Sequence, residues 1–114
     1  MNERSRIPIF DRERALLDAF QHFDVFGAFS GTLGMVEDHL GEIDVPRLVS
    51  YAVKLGIGAV AKRVGWAMSS AGVDDSVLIP LRNIESKGDA PLDPSRPARG
   101  RHDPHWHVIE NLRS

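Results

Sequence analysis

Apolar positions along the chain fall into successive helical stripes. After Asp11, the residues Ala15, Leu16, Ala19, Phe20 and Phe23 recur at the three- and four-residue spacing that lines one face of an α-helix. Asp11 is placed to cap that helix, its carboxylate accepting from the free N–H of Glu13 or Arg14. The stripe ends near Phe23. Phe29, Leu33, Val36 and Leu40 predict a second helix over 28–40, which packing must support because Gly31 and Gly34 each cost about 1 kcal/mol relative to alanine. Asp44 ahead of Val45-Pro46 combines a cap with an early-turn proline and opens a third helix to about Leu55, with Leu48, Val49, Ala52 and Leu55 inward and Gly56 as its stop.

The clearest period comes next. Ile57, Val60, Ala61, Val64, Ala67, Met68 and Ala71 form a wide apolar stripe, with Lys62 and Arg63 opposite and Gly72 at the C′ position. Gly58, Gly65 and the alanines leave this helix thin enough for a neighbouring helix to approach closely, and Trp66 is expected to cover part of the core. A fifth helix over 76–87 is built around Leu78, Leu81 and Ile84; it tolerates Pro80 only in its first turn and stops at Gly88.

Beyond Gly88 the pattern changes, because Pro91, Pro94, Pro97 and Pro104 forbid a long helix and Gly100 invites a turn. An ordered loop or clamp is expected. Residues 105–112 return to alternation, with Trp106 and Val108 on one face and His107, Ile109 and Asn111 on the other, which predicts a short strand. Ile7-Pro8-Ile9-Phe10 suits an edge strand able to pair with it. The fold class is therefore α+β: a single domain over 1–114, predominantly helical with about five helices, and a small sheet formed by the N- and C-terminal strands. Its expected core includes Phe20, Leu33, Leu48, Val60, Val64, Met68 and Leu81.

Composition narrows the function classes. With 114 residues and no cysteine, the chain has one core held by packing alone, and disulfides, thiolate zinc sites and cysteine nucleophiles are excluded. No apolar run approaches a membrane span and no signal-peptide core is present, so a cytoplasmic protein is expected. The net charge of −2 divides weakly along the chain: residues 1–90 hold ten basic and thirteen acidic side chains, residues 91–114 four and three. Neither part has the basic excess of a domain that binds nucleic acid chiefly through phosphate contacts.

Three clusters are candidates for chemistry. His102, His105 and His107 could present two imidazoles from one strand face to a metal, but without a clear third ligand they read as solvated histidines, and no cofactor is expected. Ala61-Lys62-Arg63-Val64-Gly65 has the small-residue and turn-glycine spacing of a helix-turn-helix. The residues after it, Trp66, Ala67, Met68, Asp74 and Asp75, lack the basic side chains of a recognition helix, which favours a buried helical hairpin. Arg96, Arg99 and Arg101 with His102 and His105 form a basic loop able to hold an anion, an RNA backbone or an acidic protein surface. Asp93 and Asp103 beside it also fit a salt-bridged surface loop. No nucleophile elbow, Walker loop or H-E-x-x-H is present, and Gly56-Ile57-Gly58 lacks the third glycine of a dinucleotide fingerprint, so an enzyme is not expected.

Three stretches carry a family resemblance. They are Asp11-Arg12-Glu13-Arg14-Ala15-Leu16-Leu17-Asp18-Ala19-Phe20; Leu48-Val49-Ser50-Tyr51-Ala52-Val53-Lys54-Leu55-Gly56 running into Ala59-Val60-Ala61-Lys62-Arg63-Val64-Gly65; and Pro91-Leu92-Asp93-Pro94 through Gly100-Arg101 to Trp106-His107-Val108. In order and spacing the chain resembles the C-terminal domain of antitoxins and antitoxin-like transcriptional regulators of AbiE-type (type IV) abortive-infection toxin–antitoxin systems. The winged helix-turn-helix that precedes this domain in the family has no counterpart here. The resemblance implies a regulatory domain that counters a nucleotidyltransferase-like toxin or assists operon regulation with a separate DNA-binding chain; apart from the resemblance, a dimerisation domain whose partner is a second copy of itself is a further possibility. It implies no catalytic residue. The partner-binding residues expected are Arg96, Arg99, Arg101, His102 and His105; the alternative is a nucleic-acid-binding module using the same 96–105 loop. Asp103-Pro104-His105 stands where the family pattern has a polar-basic approach to Trp106, so the surface chemistry there differs.

Overall fold

Asp11 caps the first helix as its position predicts: Oδ1 accepts from the Arg14 N–H at 3.1 Å, and α1 runs over Arg12–Gln21. In this computed structural model, which describes residues 11–22, 28–84, 86–94 and 96–112, four more α-helices follow. They are α2 (Ala28–His39), continued by a 3-10 turn over Leu40–Glu42, α3 (Val45–Leu55), α4 (Gly58–Ser70) and α5 (Asp75–Arg82). Asp44 caps α3 through the Arg47 N–H, and Gly56 ends it in the left-handed conformation. Asp74 caps α5. That helix stops at Arg82, short of the expected Lys87, and carries Pro80 in its interior.

The helices enclose one core. Phe20, Phe29, Val36, Leu48, Val64, Met68 and Leu78 are fully buried, and Phe20 meets Phe29 edge-on with ring centroids 6.0 Å apart. Of the expected core residues only Leu33 is half-buried. Polar links fix the helices to one another. Buried Glu13 accepts from the Asp44 N–H at 2.9 Å, tying α1 to the cap of α3, and the Thr32 hydroxyl donates to Ala19 O. The Tyr51 hydroxyl and Arg47 both donate to the remaining Asp11 oxygen.

The sheet has three short strands, β1 (Ala90–Pro91), β2 (Arg101–Asp103) and β3 (Val108–Glu110), in the order β1-β3-β2. β1 runs parallel to β3 and β2 antiparallel to it, with His102 opposite Ile109. The expected strand Ile7-Pro8-Ile9-Phe10 lies outside the described residues. The molecule is therefore α+β and mostly helical, and among the described residues its small mixed sheet is drawn from the last quarter of the chain.

Candidate functional site

The segment after α5 lies against α4 and is held there by side chains of that helix. Lys62 Nζ donates to Gly88 O at 2.5 Å, Arg63 Nε to Pro91 O at 2.9 Å, and Trp66 Nε1 to Glu110 at 3.1 Å. Between them Gly65 receives the Trp106 indole: a Cβ at Gly65 would stand 2.2 Å from Cζ3 of that ring. The thin face of α4 thus accommodates an aromatic side chain, where a neighbouring helix was expected. α4 also runs through Gly65 without a break, so this glycine makes no helix-turn-helix turn. Lys62 is buried and Arg63 half-buried, which corrects their expected place on the solvent side. Burial lowers the Arg63 pKa, a shift the nearby Asp93 charge opposes.

Asn111 locks the proline-rich loop. Fully buried, it accepts from the Asp93 N–H at 2.9 Å and donates to Asp93 O at 2.8 Å and Pro97 O at 3.1 Å. Asn111 thereby clamps the loop, although alternation groups it only with His107 and Ile109 on one strand face. Gly100, at φ 152°, closes the loop so tightly that a Cβ there would meet Glu110 O at 2.2 Å.

Residues 104–107 form a turn, where alternation predicts strand. The cause is Asp103, whose Oδ1 accepts from the His105 N–H at 2.8 Å and the Trp106 N–H at 3.3 Å, while its carbonyl accepts from the His107 N–H at 2.7 Å. His107 leaves this turn at φ 56°, a left-handed conformation unusual for a side chain with a Cβ. His105 and His107 consequently do not share a strand face. Among the described residues no group of three or more His, Asp or Glu side chains is arranged to hold a metal ion.

The five expected binding residues have different environments. Arg96 is half-buried and donates to Leu112 O at 2.7 Å, so it helps close the loop. Arg99 and Arg101 are exposed, and the adjacent strand positions of Arg101 and His102 direct them to opposite faces. His102 pairs with Asp89 at 2.5 Å, which with the neighbouring His107 holds the Asp89 carboxyl below the usual range. His105 reaches across to α5, with Nε2 2.8 Å from Asp75, the carboxylate that also accepts from Arg82 at 2.9 Å.

Sequence reasoning missed a second basic grouping. Lys62, Arg82, Lys87, His105, His107 and Trp106 border a cleft of about 710 Å³ between α4, α5 and the 104–107 turn. The available signal was spacing: Lys62 precedes Gly65 and Trp66 by three and four residues, which places all three on one face of α4. Comparison with family models, curated proteins and solved structures finds no match to this chain.

Proposed function

We propose that this chain is a non-enzymatic, antitoxin-like regulatory domain of the cytoplasm that engages a nucleotidyltransferase-like toxin through the exposed side of the 96–105 loop. The observation supporting this reading is that the three stretches carrying the family resemblance hold one another. Asp11 of the first meets Tyr51 and Arg47 on α3, and Arg63 and Gly65 of the second receive Pro91 and Trp106 of the third. Their residues thus serve a shared scaffold, and the side chains that scaffold leaves exposed are those free to meet a partner. Arg99 and Arg101 supply long-range attraction and bidentate donors for an acidic surface; His102 and His105 flank them. Arg96 supports the loop from beneath.

The test is growth rescue when the chain is co-expressed with the active toxin, paired with binding of the purified proteins at low and high salt. Wild type should rescue, and Arg99→Ala/Arg101→Ala should fold normally yet lose rescue and binding. Failure to rescue or bind a toxin shown to be active sinks the proposal. The nucleic-acid alternative gives a different pattern: RNA or DNA binding that weakens steeply with salt and depends on the same two arginines.

A further inference from the structure

The cleft beside α4 combines features that a purely structural surface has no reason to hold together. Lys62 is 9% exposed, and its ammonium group donates to the neutral carbonyl of Gly88 without an ion pair among the described residues. An ammonium carries three donors, and this one meets a single neutral acceptor while it borders the cleft. Lys87, on the same cleft, also has no ion pair among the described residues. Trp106 is 3% exposed, and its Nε1–H lacks an acceptor among the described residues. The ring edge through Cε3 and Cζ3 lies on Gly65, so covalent geometry turns the indole N–H away from α4. Arg82 is paired with Asp75, which His105 also contacts, and His107 lies 3.5 Å from Asp89. Among the described residues, Lys62 and Lys87 therefore border one cleft without an ion pair, Trp106 lines it beside them, and no carboxylate does so.

We infer that this cleft is a binding site for a phosphate-class oxyanion, with Lys62 and Lys87 as its principal charges. A phosphoryl group supplies several acceptor oxygens and the missing counter-charge, and charge-assisted hydrogen bonds of this kind are the strong ones. A volume of about 710 Å³ accommodates more than inorganic phosphate, so a polyphosphate or a phosphorylated small molecule fits as well. The site stands independently of any protein partner.

The test uses the full chain labelled with ¹⁵N and titrated with inorganic phosphate, pyrophosphate, tripolyphosphate, ATP and adenosine at constant ionic strength. The two indole N–H signals report separately, because that of Trp66 is already bonded to Glu110. Pyrophosphate should shift the Trp106 indole signal and leave that of Trp66 in place, and adenosine should do neither. Lys62→Met and Lys87→Met should each weaken binding by about tenfold or more, the loss expected for one charge-assisted hydrogen bond, while the charge-matched Lys54→Met on α3 should not. Lys87 is exposed, so its variant reports even if Lys62→Met folds poorly. Tighter binding of ATP than of tripolyphosphate would identify a nucleotide as the source of the phosphoryl group; equal binding would identify a ligand recognised by its phosphates alone. An unmoved Trp106 signal, or equal weakening by all three lysine variants, overturns the assignment.

Discussion

Gly65→Ala adds one methyl group to the face of α4 that carries Trp106. The new carbon would stand 2.2 Å from Cζ3 and 2.5 Å from Cε3 and Cη2 of the indole. Carbon atoms rest about 3.5–4.0 Å apart, so the ring must retreat by more than about 1 Å. It is a rigid aromatic, 3% exposed, and its main chain is held in the Asp103 turn, so it has little freedom to yield. Overpacking of this kind costs about 1–3 kcal/mol, and this contact belongs at the upper end. Alanine returns about 1 kcal/mol through its helix propensity, leaving a net loss of about 2 kcal/mol.

Gly34→Ala in α2 isolates the propensity contribution, because among the described residues nothing lies within 4 Å of a Cβ there. The same chemical change should raise stability by about 0.5–1 kcal/mol. Thermal and urea unfolding followed by circular dichroism distinguish the two, with Tm lowered by about 8 °C in one variant and raised by a few degrees in the other. In a Trp106→Leu background the clash is relieved and Gly65→Ala should instead gain up to about 1 kcal/mol, a coupling of about 3 kcal/mol. If Gly65→Ala is as stable as wild type, the packing of the C-terminal segment on α4 is wrong.

Asn111→Ala should cost about 2–4 kcal/mol by leaving the buried Asp93 N–H and two loop carbonyls without their partner, measured as a lower urea midpoint at unchanged slope. Val64→Asp should abolish cooperative unfolding, since it places an unpaired carboxylate at a fully buried position; a soluble variant with a sharp transition refutes that packing. Acid should destabilise the domain through Asp11, Asp74 and Asp89. The pKa of Asp11 is lowered foremost by the Tyr51 hydrogen bond, that of Asp74 by the Ser76 N–H, and that of Asp89 by His102. A depressed folded pKa gives stability that is present above the ordinary value of 3.8 and is lost as pH falls through it toward the folded value, so Tm should fall in that window and Asp11→Asn should flatten the fall.

How much of the fold is legible in the sequence depends on the range of the interactions. α3 is readable at both ends because its cap, early proline and terminal glycine act on neighbouring residues. The apolar period overextends α5, since it continues to Ile84, beyond the hydrogen-bonded helix that ends at Arg82. The five basic residues are close together in sequence, whereas a strand sends neighbours to opposite faces and Arg96 turns toward Leu112. The 104–107 turn is hidden by its own alternation. Its decisive feature, the Asp103 carboxylate accepting two N–H groups, is a property of one side chain that a hydrophobic pattern does not register.

The largest differences between pattern and structure share one physical origin. Lys62, Arg63 and Asn111 are polar, and the pattern gives none of them a place in the core, setting Lys62 and Arg63 opposite the apolar stripe. Each instead satisfies main-chain groups of a segment with little regular structure. A proline-rich loop leaves carbonyls without ladder partners, and where it is covered those carbonyls need side-chain donors. Long basic side chains and an amide supply them at Gly88, Pro91, Asp93 and Pro97. The same arrangement places cations beside the loop they hold. Lys62 supports Gly88 and borders the cleft, so the interactions that fix the C-terminal segment also create its positive wall. A variant at Lys62 therefore perturbs both, whereas Lys87, which makes no hydrogen bond to the loop among the described residues, tests the charge of the cleft by itself.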